Sequence, residues 1–382
     1  MTTNDWNGQF RLRHHSIFGE LSKRHDVHVV RLVLAPKSKL ATSETENIIV
    51  HEPYCLRSSN LLAYYLSNYM FHFGKSLEVI RRERIDVVVV SNLISGMAAI
   101  SAAKLAGVPV VFDLLDFFPS FVSQAGSMPK FMADFGESVA SRLLEANLGL
   151  SDAIIVTSTV LRDMFRDKYS SRIHYVPNGV DTSRFQPSVA PFRFKDSDSR
   201  DNVVVGFVGH LDFWVDVDLI IEATEILAHK FGDFRCLMLG GGPHFEKFRS
   251  MVRERDLEQY FVLPGIVPYE QVPSYVAAMD VCFLPFRKSL VSDGSCPNKL
   301  FEYLACGKPV VSTNIVEVMR IASGIPLFAE GGRGFAERVV EVLSSDGYRK
   351  SLCERGRSFA LKYDWAKVAS AYECVLEQVA KK

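Results

Sequence analysis

Asp293 to Ser312 reads DGSCPNKLFEYLACGKPVVS. The order is loop, helix, tight stop, strand. Pro297 suits a first helical turn, Gly307 suits a C-terminal cap, and Pro309 suits the start of a strand. Lys299 and Glu302 are three residues apart, so they share a face near the helix N-terminus. A helix N-terminus offers unbonded backbone N–H groups and a partial positive charge. That combination fits a diphosphate with Lys299 as its counter-ion. The Glu302 carboxylate is then placed to accept hydrogen bonds from a ribose diol. The same spacing also describes a solvent-exposed ion pair on an ordinary helix, and the residues alone leave both readings open.

A second carboxylate follows a strand pattern. Phe112 to Phe121 reads FDLLDFFPSF, which puts Asp116 at the carboxyl edge, where open α/β sheets bind ligands. Asp116 is a candidate ligand contact, or else the cap of a turn before Pro119. Other chemistries lack their residues. GxGxxG is absent: Gly206 and Gly209 lack its spacing, and Gly240–Gly242 reads as a turn. There is no GxSxG elbow. His14–His15 and the His25/His28 pair lack partners for zinc, so no metal and no cofactor is expected. Seven scattered cysteines form no CxxC pair, which suits a reducing compartment and small core side chains.

The elements that position these groups alternate along 382 residues. Strand patterns run 27–34, 86–90, 108–112, 153–157 and 173–176, then 203–208, 235–239, 261–263, 281–284, 310–312 and 325–328. Most are continuous apolar runs, which implies parallel strands covered on both faces. Helical patterns fall at 61–83, 95–106, 128–148, 216–231, 243–256, 298–305 and 334–344. This is the signature of doubly wound α/β domains. The break at 186–202, QPSVAPFRFKDSDSRDN, reads as a linker. The expected organisation is a Rossmann-like domain over 1–185, a second over 203–363, and a C-terminal helix over 364–382. That helix carries Trp365, Val368, Ala369, Tyr372, Val375, Leu376 and Val379 on one face.

Lys plus Arg and Asp plus Glu number 44 each, so the net charge is zero. A whole-protein basic field for nucleic acid is therefore excluded. The uncharged stretch Val87–Ala103 carries Ser91, Asn92, Ser95 and Gly96, which suits a strand turning into a helix better than a bilayer span. Asp5, Arg11 and Arg13 interrupt any apolar leader, and the expected address is the cytoplasm. Arg11, Arg13, His14, His15, Lys23 and Arg24 cluster early, and Arg81, Arg82 and Arg84 later. With Phe117, Phe118, Phe121 and Phe131 they form a candidate face for peripheral contact with an anionic membrane, or else ordinary solvated helix faces.

At this point the chain resembles the large family of retaining, GT-B-fold glycosyltransferases, family 4 (glycosyl transferases group 1). KLFEYLACGKPVV is similar to that family's donor-binding helix. CLMLGGGPHFEKFRSM, followed by FVLPGIVPYEQVPSYVAAMDVCFLPF, matches the family's order of elements. DAIIVTSTVLRDMF and YVPNGVDTSRFQP match the segment leading out of the acceptor domain. The resemblance implies two Rossmann-like domains facing across a cleft and metal-independent hexosyl transfer from a UDP- or GDP-sugar. It also implies a glycan or lipid-linked acceptor, with surface polysaccharide or glycoconjugate synthesis as the setting. Glu302 is then the ribose ligand. The donor-binding candidates are Gly209, His210, Arg287, Gly294, Ser295, Lys299, Leu300 and Glu302, and the catalytic candidates are Asp116 and Asp293.

Three departures stand beside the resemblance. Gly294 occupies the position eight residues before Glu302 where many members carry Glu, and Asp293 stands next to it. GFVGHLDFWVDVD lacks the Arg and Lys that many members place after the second domain's first strand, leaving His210 as the nearest potential cation. Leu115 stands where many members have His, although Asp116-Phe117-Phe118-Pro119 looks like another version of that site. The alternatives are a nucleotide-sugar epimerase of the same fold and a donor-binding partner protein without activity. Only MTTND precedes a helix beginning near Gln9, too little for a central strand. The first sheet is therefore expected to lack a regular opening strand, with Thr2–Asn4 its remnant at most.

Overall fold

A computed structural model describes residues 6, 13–32, 47–56, 58, 61–124, 129–194, 203–231 and 233–381 of the chain. The chain divides into two compact units. One comprises Met1–Pro177 with Trp365–Lys382, and the other comprises Asn178–Asp364.

In the first unit, α1 (Arg13–Leu21) leads to β1 (Val27–Val30), β2 (Ile48–His51) and α2 (Leu61–Arg82). Then follow β3 (Val88–Val90), α3 (Ile94–Ala106), β4 (Val110–Leu114), α4 (Phe118–Gln124) and α5 (Lys130–Leu150). The last elements are β5 (Ala153–Val156), α6 (Thr159–Tyr169) and β6 (Ile173–Tyr175). The described strands form two parallel sheets, β1-β2 and β3-β4-β5-β6. The expected strand remnant Thr2–Asn4 lies outside the described residues. Strand β2 had no signature in the sequence reading, and the other strands of this unit sit inside or within two residues of their expected ranges.

Strand periodicity divides the core of this unit. Val110, Phe112 and Leu114 of β4 pack with Ala99, Ala103, Leu144 and Leu148, under α3 and α5. Val111 points the other way and packs with Ile17, Leu21, Trp365, Val368 and Tyr372. Asp113 shares that second face and is fully buried. Its Oδ2 accepts from Arg13 Nε at 3.3 Å and from the Tyr372 hydroxyl at 3.2 Å, and lies 3.0 Å from His14 Nε2. Burial opposes ionisation of Asp113, but the Arg13 guanidinium and the bonded His14 outweigh it and hold the carboxyl below its usual range.

The second unit contains β7 (Val203–Val208), α7 (Val217–Lys230), β8 (Phe234–Leu239), α8 (Phe245–Glu254) and β9 (Phe261–Gly265). It continues with α9 (Val272–Ala277), β10 (Val281–Leu284), α10 (Leu290–Asp293), α11 (Asn298–Ala305) and β11 (Val310–Ser312). It closes with α12 (Val316–Ile321), β12 (Leu327–Phe328), α13 (Gly331–Leu343) and α14 (Asp346–Ala360). The six strands are parallel in the order β12-β11-β10-β7-β8-β9. Counted within the unit this is 3-2-1-4-5-6 read from the other edge, the dinucleotide-domain order, with its switch point between β7 and β10.

The last helix, α15 (Trp365–Ala380), belongs to the first unit. Its apolar stripe buries Trp365, Val368, Ala369, Tyr372, Val375 and Val379, with Leu376 partly buried. The unit boundary falls at Pro177/Asn178, earlier than the linker read from composition. Phe192 explains the difference: its ring stacks on Tyr275 at 4.2 Å, and its amide donates to the Ser274 carbonyl at 2.9 Å. The prolines of 186–194 therefore mark an extended strap bound to the second unit. The rest of that segment, 195–202, lies outside the described residues.

Candidate functional site

The carboxyl end of β7 and the start of α11 meet at the switch point of the second unit. Registered pairing of β7 with β10 ends at Gly206–Cys282. Past it, the Tyr303 hydroxyl of α11 takes over the ladder's role, accepting the Val208 amide at 2.7 Å. This fastens α11 to the end of β7.

A glycine turn fixes the Gly209–Leu211 loop. Gly240 and Gly242 have φ of 135° and 136°, a backbone region that disfavours side chains. A Cβ on Gly240 would stand 1.9 Å from the Gly209 carbonyl oxygen, and one on Gly242 would stand 2.4 Å from that of Leu211. Leu211 N donates to the Gly241 carbonyl at 2.7 Å, and Gly209 N to that of Leu239 at 2.9 Å. His210 projects from this loop, exposed, with its ring stacked near Trp214 and its Nε2 3.7 Å from Asp212 Oδ2.

Pro297, in an extended conformation, immediately precedes helix α11, which has no side-chain cap. Proline thus sits one position before the expected first turn. The amides of Asn298 and Lys299 have no partner among the described residues, so the helix N-terminus keeps donors for a ligand. At the other end Gly307, at φ 67°, closes a Schellman turn: its amide bonds to the Leu304 carbonyl and the Lys308 amide to that of Tyr303.

The Lys299–Glu302 pair is not a solvated helix pair. Glu302 is 4% exposed. Its Oε2 accepts from Lys299 Nζ at 2.9 Å, and its Oε1 accepts from the Tyr269 hydroxyl at 3.3 Å. A carboxylate held this deeply, with a half-buried ammonium beside it, is expensive to keep for stability alone. Tyr269 was missed in the sequence, because its partner lies 33 residues away. Two asparagines were missed as well. Asn178 Nδ2 donates to the Cys296 carbonyl at 2.6 Å, steadying the approach to α11. Asn298 has a buried Oδ1 with no partner among the described residues.

The segment before α11 departs from the expected loop. Asp293 ends the single-turn helix α10, and its Oδ1 accepts the Val316 amide at 3.1 Å, capping α12. The amides of Asp293, Gly294 and Ser295 bond back to Ser289, Leu290 and Ser292 carbonyls. Backbone amides here are thus engaged within the turn. What this segment presents is the second oxygen of Asp293 and the Ser295 hydroxyl, which donates to the Ser292 carbonyl at 3.1 Å.

Two further candidates are placed differently from their expected roles. Arg287 Nη2 lies 2.7 Å from Asp218 Oδ2 and 3.3 Å from Asp216 Oδ1, so its charge is compensated locally. Leu300 is fully buried among Cys296, Tyr303 and Leu304, and its amide bonds to the Pro297 carbonyl. It packs the core.

In the first unit, Asp116 lies two residues beyond β4, half-buried, with no side-chain partner among the described residues. Burial raises its carboxyl from 3.8 to about 6. Thr157 donates to the Leu115 carbonyl at 2.6 Å, holding the turn that carries it. The early basic cluster divides: Arg13 and His14 surround buried Asp113, while exposed Lys23 and Arg24 pair with Glu20 and Glu373. Arg11 lies outside the described residues. No described helix is long and apolar enough to cross a membrane.

Two units of parallel α/β structure, the second with the dinucleotide-domain strand order, place the chain in the GT-B fold class. Solved structures agree on the fold. Over 97% of this chain and 96% of its own, Anabaena HepE in complex with UDP and glucose superposes with a TM-score of 0.70 at 15% identity. The family models divide the sequence between them: Glycosyltransferase Family 4 matches residues 15–184, and Glycosyl transferases group 1 matches residues 202–345. The chain belongs to the group 1, family 4 glycosyltransferases.

Among curated relatives, a putative teichuronic acid biosynthesis glycosyltransferase, TuaH of Bacillus subtilis, is 25% identical over 71% of this chain and 66% of its own length. A component of the phosphatidylinositol N-acetylglucosaminyltransferase of Arabidopsis thaliana is 24% identical over 79% of this chain and 64% of its own. The chain thus spans just under two thirds of either relative.

Proposed function

We propose that the chain transfers a hexosyl group from a nucleoside-diphosphate sugar to a glycan or lipid-linked acceptor, with retention of anomeric configuration. The observation that carries this reading is Glu302: a carboxylate 4% exposed, bonded by Lys299 and Tyr269, on the first turns of an uncapped helix at the switch point. Glu302 receives the ribose hydroxyls, while Lys299 and the α11 N-terminus receive the diphosphate. The UDP and glucose named for HepE are consistent with a donor of this kind.

In the reaction, the bond between the anomeric carbon and the diphosphate oxygen breaks. The acceptor hydroxyl attacks from the same face, and its proton passes to the departing diphosphate. Fixed positive charge at Lys299 and the helix N-terminus stabilises the leaving group without reorganisation. The scheme uses neither a metal nor a protein nucleophile. Asp116 contacts the acceptor.

The setting we propose is surface polysaccharide or glycoconjugate synthesis at the cytoplasmic face of a membrane. Phe131 and Phe135 of α5 are 73% and 71% exposed, with Met132 and Val139 beside them, and Arg81 and Arg82 are exposed at the end of α2. Such groups suit shallow insertion beside anionic headgroups. The relative acting on phosphatidylinositol, by its name, is consistent with a lipid acceptor.

The test is incubation with UDP- and GDP-sugars and extracted lipid or oligosaccharide acceptors, with the product anomer read by NMR. A glycosylated product with the donor's anomeric configuration is expected. An inverted product contradicts retention, and an epimerised sugar formed without acceptor contradicts transfer.

A further inference from the structure

The small sheet β1-β2 carries a side-chain cluster that the proposed transfer does not use. In its register His28 pairs with Ile49 and Val30 with His51. Paired residues of parallel strands share a face, and so do residues two apart, which sets His28 and His51 on one face as diagonal neighbours. Their rings stack with centroids 5.2 Å apart, and His28 Nδ1 lies 2.9 Å from His51 Nε2. Glu83, just past the end of α2, completes the group. One donor atom from each residue lies within 4.8 Å of the other two, and all three side chains are half-buried.

We propose that His28, His51 and Glu83 bind one divalent transition-metal ion, with zinc as the natural probe. Two imidazoles and one carboxylate are a borderline nitrogen and oxygen set that suits such ions better than calcium or magnesium. The two ring nitrogens already converge on one point, where a single hydrogen now stands between them. A metal takes its place when whichever ring carries that proton shifts it to its own other nitrogen, so neutral rings release no net proton. The ion ties both strands to the end of α2 and leaves a fourth position for water. Arg82 Nε, 3.3 Å from Glu83 Oε1, is the cation that it displaces or shares. The sequence offered no signal for the site, because its ligands are 23 and 32 residues apart and no motif spacing links them.

The experiment is titration of chelator-treated full-length protein with zinc chloride against a chromogenic competitor. The proposal expects one equivalent per chain, and affinity lower by at least about tenfold in His28→Ala, His51→Ala and Glu83→Gln with unchanged circular dichroism. X-ray absorption at the zinc edge on the wild-type complex, which needs no variant, is expected to show two imidazoles and no sulfur. Undiminished binding in the variants, a sulfur shell from a free cysteine, or failure of wild type to hold one equivalent overturns it.

Discussion

Tyr303 accepts the amide hydrogen of Val208 through its phenol oxygen at 2.7 Å, where β7 has already parted from β10. A helix side chain thus completes a strand's hydrogen bonding at the point where the sheet opens for a ligand. The phenol is fully buried, and burial pushes its ionisation well above the ordinary tyrosine range, so it stays neutral. Tyr303→Phe leaves a buried N–H without an acceptor, which costs about 1–3 kcal/mol. Urea unfolding checks this. Nucleotide affinity is expected to fall alongside, because α11 loses its fastening to the strand end.

Lys299→Ala removes the phosphate counter-ion and leaves Glu302 buried without its cation. Both stability and nucleotide affinity are expected to fall, by roughly tenfold to a hundredfold in affinity for a charge-assisted contact of about 1.5–3 kcal/mol. Thermal unfolding and nucleotide titration of the same preparation separate the two effects. Loss of stability with unchanged affinity would reduce the pair to a structural role.

Asp116 gives a signed pH dependence. Its folded value of about 6 lies above the unbound 3.8, so burial disfavours the charged form. The resulting stability is fully present below about pH 4 and is lost as pH rises through 6. Asp116→Asn is therefore expected to stabilise the fold at pH 8 by about 1–3 kcal/mol, with no gain near pH 4. If the ionised carboxylate holds the acceptor, wild-type activity falls off below pH 6, and the variant is slower but loses that limb.

His72 of α2 works in the opposite direction. It is fully buried, neither ring nitrogen has a partner among the described residues, and burial lowers it from 6.5 to about 4. Stability from the neutral ring is complete above pH 6.5 and drains away as pH falls towards 4, a loss of about 3 kcal/mol. His72→Leu is expected to flatten denaturant midpoints over that window. An unchanged acid slope would assign the acid sensitivity elsewhere.

Much of the fold was readable because buried parallel strands are continuous β-branched runs. Val203–Val208, Val281–Leu284 and Val310–Ser312 fall on their expected bounds. Ile48–His51 was missed because it is short, half-exposed and followed by charge. Asp113 stayed hidden because its partners Arg13, His14 and Tyr372 come from opposite ends of the chain. At the site, helix α11 and the Lys299–Glu302 pair were legible from local spacing. The phenols of Tyr269 and Tyr303 were not, since each bonds a group that only tertiary folding brings near. The resemblance likewise made Arg287 a donor-binding candidate, and Asp216 and Asp218, brought alongside by the loop after β10, compensate its charge.

In the proposed function Glu302 and the α11 N-terminus hold a nucleoside diphosphate. Calorimetric titration of the full chain with UDP and GDP, repeated on Glu302→Gln, tests it directly. One site per chain is expected for at least one of the two, weakened roughly tenfold to a hundredfold in the variant for the loss of a charge-assisted contact. Binding of neither nucleotide, or equal affinity in wild type and variant, would contradict it.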